Sequence, residues 1–184
     1  LKDRVISDIL ERCKPQTVLD IGSNVGRYSI LAAEKGAKVI SWERDRFCVA
    51  NLFKEAQKRN LYIIPLVIDF INPSPSFGWC GRQFPSAIER LKCEMVFCLA
   101  LIHHLIFQQW QNFERITEAL DMLSLKWLII EFIPREDKFI RSRWDKRFEW
   151  YNLDNLTKSL AARFSRIETF DSYPKGRKLL FCEK

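Results

Sequence analysis

Short apolar runs alternate with helix-sized segments along the chain, and this alternation is the feature that most limits its fold. Seven runs are predicted as strands, over residues 17–21, 38–42, 62–69, 95–101, 126–132, 167–170 and 178–182. Helices are predicted over residues 2–13, 28–35, 46–60, 86–92, 113–123 and 154–163. Strands that alternate with helices form parallel sheets with right-handed crossovers. The last two strands flank a turn and predict a hairpin, so we expect an α/β fold with a mostly parallel sheet and one antiparallel strand.

Length and composition favour a single globular domain. The 184 residues suffice for a sizeable core, and a hydrophobic fraction of 47% argues against global disorder. No apolar run reaches the roughly 18 residues that a membrane helix needs, and no signal peptide is recognisable. We therefore expect one domain over residues 1–184 and no membrane partner. Because the chain begins with Leu1 rather than Met, it is interpreted as a trimmed form or a piece of a longer polypeptide.

The cysteines and the net charge bear on cofactors and partners. The six cysteines include no CxxC pair, so a zinc site is not expected and no metal is predicted. Reduced, mostly buried thiols are the better interpretation and indicate a cytoplasmic protein. The net charge of +7 suits RNA, an anionic metabolite or an acidic carrier protein. Its densest part, residues 135–147, also contains acids, and a solvated helix face is the simpler interpretation of it.

The first predicted strand runs directly into the loop DIGSNVG, residues 20–26. Gly22 permits a sharp turn and a close approach of a ligand, and Gly26 lets the next helix pack near the strand. The loop lacks the dinucleotide fingerprint GxGxxG, because Asn24 replaces a glycine, and no P-loop GK[ST] follows. Asp20 would repel a diphosphate and instead suits a ligand that carries an ammonium group. The alternative is that Asp20 only caps the turn.

Two more acids end the next two predicted strands. Glu43 ends the second strand, 23 residues after Asp20, where a carboxylate can accept both hydroxyls of a ribose. Asp69 ends the third strand and can accept a hydrogen bond from the exocyclic amine of adenine, unless the neighbouring Phe70 takes that position. Ala100 belongs to an apolar wall after the fourth strand. An amine, a ribose and an adenine without phosphate describe S-adenosylmethionine (SAM), although Glu43 could also be a solvated acid.

Four segments in order resemble the motifs of class I SAM-dependent methyltransferases. They are DIGSNVG, VISWERD, PLVIDF and MVFCLALIHHL, and the resemblance covers the chain from about residue 15 onward. It implies a Rossmann-like three-layer sandwich that binds SAM. Three further segments, PLVIDFINPSPSFGW, LALIHHL and IIEFIPRED, are similar to a bacterial group of nodulation-type methyltransferases. The cofactor-binding residues that we expect are Asp20, Gly22, Asn24, Gly26, Glu43, Asp69, Phe70 and Ala100.

His103 and His104 are the only histidines and directly follow the fourth strand. Histidine titrates near neutrality, so one of them is a candidate general base for methyl transfer to a hydroxyl. Adjacent side chains point apart, and the alternatives are a structural histidine or catalysis by proximity alone. Glu131, near the end of the fifth strand, is the third candidate catalytic residue, for binding substrate or orienting a histidine. A metal site built from both histidines, Glu131 and Glu136 is a less favoured alternative.

The acceptor is predicted from one long loop and three aromatic residues. The loop over residues 71–86 has three prolines and two glycines, and loops of this length in compact domains are usually functional. Phe77, Trp79 and Trp110 are predicted to contact substrate, the alternative being a role in the core or an interface. The leading hypothesis is methyl transfer to an oxygen of a carbohydrate or secondary metabolite. An RNA methyltransferase and a non-catalytic SAM-binding domain of a larger assembly are the alternatives.

Overall fold

The computed structural model describes residues 1–184. A single seven-stranded sheet has the strand order β3-β2-β1-β4-β5-β7-β6, and β7 runs antiparallel to both of its neighbours. The strands are β1 Thr17–Ile21, β2 Lys38–Glu43, β3 Ile63–Val67, β4 Cys93–Cys98, β5 Ser124–Phe132, β6 Arg166–Asp171 and β7 Lys178–Glu183. The predicted α/β fold with one antiparallel strand is therefore confirmed.

Helices cover both faces of the sheet and complete the three layers. They are α1 Lys2–Cys13, α2 Arg27–Glu34, α3 Arg46–Lys58, α4 Ala87–Arg90, α5 Ile102–Gln109, α6 Phe113–Leu123, α7 Lys138–Arg141 and α8 Leu153–Ala161. One buried cluster joins the sheet to α1, α2 and α3, and a larger one joins its other face to the remaining helices. No helix combines the length and the apolarity that crossing a bilayer requires.

Helix α5 was not predicted from the sequence. The residue before it, Leu101, provides no side-chain cap, and five of its eight residues are buried. Without an N-cap signal or an amphipathic pattern, a short buried helix cannot be distinguished from the end of a buried strand. The prediction accordingly extended β4 to residue 101, whereas β4 ends at Cys98. This helix matters because it contains both histidines.

The order of the strands determines where a ligand can approach. The chain crosses from β1 to β2 in one direction and later from β3 to β4 in the other, so β1 and β4 flank the point where the strand order reverses. In open α/β sheets ligands bind outside the carboxyl ends of the strands at such a point. The loop after β1 begins there, and α5 follows β4 at the same edge.

Gly26 packs where no side chain fits. Its backbone has φ +80°, and a Cβ at this position would overlap the buried side chain of Leu52 in α3. We expect Gly26→Ala to lower the free energy of unfolding by about 2–4 kcal/mol, because the left-handed backbone and the overlap both oppose a methyl group. Denaturant unfolding measures this loss.

Gly36 provides a matched control for this substitution. It also has a positive φ, +92°, but a Cβ there would meet no atom within 4 Å. Gly36→Ala should therefore lower the free energy of unfolding only through the cost of the left-handed backbone, by about 1–2 kcal/mol. Equal losses in the two variants would mean that the contact with Leu52 contributes nothing.

Candidate active site

A cavity of about 620 Å³ opens at the carboxyl ends of β1 to β4. Its wall combines the loop after β1, the ends of β2 and β3, the turn before α5, and Lys2 from α1. Seven of the eight residues predicted to bind a cofactor line it, namely Asp20, Gly22, Asn24, Glu43, Asp69, Phe70 and Ala100. The eighth, Gly26, does not line the cavity and instead lets α2 and α3 pack closely.

The loop after β1 is held by β2. The N–H groups of Gly22 and Ser23 both donate to the carbonyl of Trp42, at 2.8 and 3.2 Å. Gly22 has φ +71°, and a Cβ there would lie 3.1 Å from the side chain of Leu101. The Trp42 side chain is buried between sheet and helices and forms part of the cavity wall.

Glu43 is fixed by two backbone donors. Its Oε2 accepts from the N–H of Asn24, and its Oε1 accepts from the N–H of Asp45, both at 2.9 Å. A carboxylate has about four acceptor positions, so two remain for hydroxyl groups of a ligand. Asp69 has a similar anchor, since its Oδ1 accepts from the N–H of Ile71 at 3.2 Å.

Asp20 lies at the inner end of the cavity and is almost fully buried. Its Oδ2 accepts from Ser29 Oγ at 2.6 Å, and Ser29 in turn contacts Ser41 Oγ at 2.6 Å. Burial raises the pKa of Asp20 from 3.8 to about 6, although the Ser29 hydrogen bond and the charge of Lys2 act in the opposite direction. A ligand cation beside this carboxyl group would favour its ionised form.

The two histidines of α5 have different surroundings. His104 lines the cavity, whereas His103 is 5% exposed and does not. Burial, together with the charge of His104, lowers the pKa of His103 to about 3. Burial also lowers the pKa of His104, and the charges of Arg143 and Arg44 act in the same direction. Both imidazoles are therefore neutral at pH 7, and His104 is the one beside the cavity.

Glu131 lies on the other face of the sheet from the histidines, so it is not placed to orient either of them. Side chains alternate along β5: Ile130 and Phe132 belong to the core cluster that contains α5, and Ile129 belongs to the cluster that contains α1. Glu131 therefore points toward α1. The alternative metal site built from both histidines, Glu131 and Glu136 is not assembled either, and no group of three metal-binding side chains occurs in the structure.

Glu131 has a buried partner that the sequence analysis missed. Its Oε2 lies 2.6 Å from Lys2 Nζ, and its Oε1 accepts from Ser172 Oγ at 2.8 Å. The Glu131 side chain is fully buried and that of Lys2 is 12% exposed. Lys2 lines the cavity with Asp20, and its ammonium group lies 4.8 Å from the centre of the Tyr28 ring. A glutamate inside an otherwise apolar strand indicates that a cation from another segment of the chain pairs with it.

The aromatic residues predicted to contact substrate do not line the cavity. Phe77 and Phe84 pair across the 71–86 loop with their rings stacked at 4.8 Å, and Trp79 is 86% exposed on a 3-10 turn at the loop tip. Trp110 ends α5, where its exposed ring stacks on Phe148 at 5.7 Å. Their contact with substrate stays a prediction.

The chain resembles known proteins both in sequence and in structure. No protein-family model matches the chain. Nodulation protein NoeA of Rhizobium meliloti (strain 1021) is 28% identical to this chain, and the match covers 98% of the chain. The chain spans only 38% of the length of NoeA.

Two solved structures illustrate the likeness of fold. Magnesium protoporphyrin IX methyltransferase (ChlM) from Synechocystis PCC 6803, with bound SAM, superposes with a TM-score of 0.64 at 17% identity. That match covers 99% of this chain and 79% of the other. The bifunctional kinase-methyltransferase WbdD superposes with a TM-score of 0.69 at 14% identity, over 99% of this chain and 38% of that one. The chain therefore has the fold of the class I SAM-dependent methyltransferases and is a distant relative of nodulation protein NoeA.

Proposed function

We propose that the chain is a SAM-dependent methyltransferase that acts on an oxygen of a small molecule, such as a carbohydrate or a secondary metabolite. The observation that carries this proposal is the convergence of Asp20, Glu43 and Asp69, from three adjacent strands, on the cavity that His104 also lines. We further propose that residues 1–184 form one methyltransferase domain. The continuous sheet with a core on each face supports that assignment.

The residues of the cavity fit SAM in size and chemistry. A volume of about 620 Å³ lies within the usual range for a ligand of this size. Asp20 faces the ammonium group in this proposal, the free acceptor positions of Glu43 take the ribose hydroxyls, and Asp69 takes the adenine amine. ChlM was solved with SAM and with its product S-adenosylhomocysteine (SAH), which supports the same cofactor for the same fold.

Lys2 completes the proposed cofactor site. The amino-acid end of SAM carries a carboxylate beside its ammonium group, and Lys2 presents a cation close to Asp20. One ammonium hydrogen faces Glu131, and an ammonium group has two further donors. We propose that Lys2 binds the carboxylate of the cofactor and that Glu131 acts as a positioning residue through Lys2.

His104 is the proposed general base. Bound SAM supplies an electrophilic methyl group on a sulfonium. An acceptor hydroxyl becomes a better nucleophile when a neutral imidazole takes its proton, and the lowered pKa keeps His104 neutral at pH 7. His104 in α5 and the acids at the strand ends line the same cavity, which supports a mechanism in which the cofactor and the acceptor meet beside α5.

Ligand-induced stabilisation tests the cofactor assignment directly. We expect SAM and SAH to raise the melting temperature, with about 2.7 kcal/mol of stabilisation at a ligand concentration 100 times Kd. ATP is the control, because its triphosphate would meet Asp20 rather than an anion-binding loop. Absence of a shift with SAM and SAH, or an equal shift with ATP, would contradict the proposal.

The affinity for SAH should depend on pH through Asp20. The pKa of Asp20 in the folded protein is raised from 3.8 to about 6. The contribution of Asp20 to the stability of the free protein is therefore fully present below pH 3.8 and is lost as the pH rises through 6. The ammonium group of bound SAH interacts favourably with the ionised form of Asp20, which predominates above pH 6. We therefore expect SAH to bind about tenfold more weakly at pH 5 than at pH 7.

Calorimetric titration of two variants checks this pH dependence. Asp20→Asn should bind SAH more weakly at pH 7 and should lose the dependence between pH 5 and 7. Asp45→Asn is the control, since Asp45 is exposed and does not line the cavity, and it should keep the dependence. A dependence that survives in Asp20→Asn would assign it to another group.

A further inference from the structure

The surface beside His104 carries arginines that have no acidic partner. Arg44, which directly follows β2, lines the same cavity as His104, and the exposed Arg143 follows α7 beside the cavity without lining it. Neither forms a salt bridge, whereas the nearby Arg147 and Arg177 pair with Asp145 and Asp137 at 2.9 and 2.7 Å. Two unpaired guanidinium groups thus flank the candidate base.

Arg143 is held close to the histidine by an aromatic stack. The ring of Phe139 lies 4.4 Å from that of His104, and the guanidinium of Arg143 lies 3.9 Å above the centre of the Phe139 ring. Arg143 Nη1 donates to the Phe139 carbonyl at 3.2 Å and to Ser142 Oγ at 3.1 Å. Its Nε and Nη2 have no protein acceptor, so donors remain for a ligand.

The remaining charges near His104 do not neutralise these arginines. Asp137 is the acid that acts on His104, and its Oδ2 is taken by Arg177 and its Oδ1 by the N–H of Phe139. The basic segment over residues 135–147 contains six basic and three acidic residues. It packs on α5 through Phe139, and Trp144 lies 6.2 Å from Phe107. The acceptor side of the site is therefore cationic.

We propose that the methyl acceptor is an anionic small molecule whose phosphate or carboxylate group is bound between Arg44 and Arg143, with its reacting hydroxyl at His104. Guanidinium groups suit both anions, because they bind two oxygens at once. This inference rests on the proposed function, since it names the acceptor class for that reaction. Burial lowers the pKa of His104 before the acceptor binds, the charges of the same arginines act in that direction, and a bound anion would raise the pKa.

Titration of three probes into the SAH complex tests the proposal and distinguishes the two anions. The probes are phenyl phosphate, benzoate and the neutral benzyl alcohol. We expect at least one anion to bind about tenfold or more tightly than benzyl alcohol, and the preferred anion identifies the group. NMR of the two histidines should report a higher pKa of His104 in the anion complex. Equal binding of all three probes would overturn the proposal.

Matched arginine variants show whether the anion binds at the inferred place. Arg44→Gln and Arg143→Gln should each weaken binding of the preferred anion about tenfold. Arg46→Gln and Arg141→Gln remove the same charge from exposed neighbours that neither line the cavity nor stack on Phe139, and they should leave affinity within about twofold. Equal weakening by all four substitutions would mean that the anion responds only to net charge, and it would overturn the proposed site between Arg44 and Arg143.

Two further outcomes are informative. Tight, strongly salt-dependent binding of a decauridylate that all four substitutions weaken would overturn a small-molecule acceptor in favour of RNA. Failure of SAH to bind would contradict the proposed function, and the anion site would then be tested in the free protein with the same variants. The two failures are thus distinguishable.

Discussion

Replacing His104 with glutamine should reduce kcat about 100- to 10,000-fold and leave the affinity for SAH within about twofold. Glutamine retains a polar group of similar reach, but it cannot accept a proton from a hydroxyl. Methyl transfer from radiolabelled SAM to the acceptor, at saturating SAM, measures the loss. A variant that binds SAH and turns over at the wild-type rate would leave proximity and orientation as the mechanism.

His103→Gln is the matched control, because it removes an identical ring whose centre lies 4.1 Å away. His103 does not line the cavity, so this variant should lose stability while each folded molecule keeps most of its activity. The pH profile of kcat/KM for the acceptor, at saturating SAM, reports the pKa of His104 before the acceptor binds and separates the roles further. The pKa of His104 is lowered, so the rate should fall with decreasing pH only below the ordinary histidine value of 6.5, where His104 becomes protonated. His104→Gln should lack that fall.

Replacing Lys2 with methionine should weaken SAH about 10- to 100-fold, because a charge-assisted contact to the cofactor carboxylate is lost. Binding of 5′-methylthioadenosine, which lacks the amino-acid end, should not change. Calorimetric titration of both ligands measures the difference. Arg4→Met is the control on the same helix, since Arg4 is exposed and outside the cavity. Equal weakening of both ligands by Lys2→Met would contradict a specific role at the carboxylate.

The stability of the Lys2 variant needs its own control. Removing Lys2 leaves the fully buried Glu131 without its cation, which should cost about 3–5 kcal/mol of the free energy of unfolding. The double variant Lys2→Met with Glu131→Gln removes that buried charge and retains an acceptor for Ser172. We expect it to regain most of the stability and to keep the weak SAH binding. Recovery of SAH affinity in the double variant would mean that Lys2 acts only on folding.

Periodicity predicted most of the fold but not the helix that carries the histidines. The strands and the amphipathic helices repeat with periods that local sequence reveals, and the seven-stranded sheet with its antiparallel β7 is confirmed. Helix α5 is buried on nearly all sides and has no N-cap, so its residues resemble a continuing strand. Its assignment depends on packing that local sequence does not contain.

The sequence by itself determined which residues meet at the carboxyl edge of the sheet. Asp20, Glu43 and Asp69 lie at or just after the ends of parallel strands whose order brings those ends together, so their presence along one cavity could be predicted. Only the tertiary structure decided which side chains face that cavity. Strand alternation turned Glu131 to the opposite face and paired it with Lys2, 129 residues away, and the packing of Phe139 brought Arg143 beside His104. Such contacts join distant segments, and their partners become known only when the layers are packed.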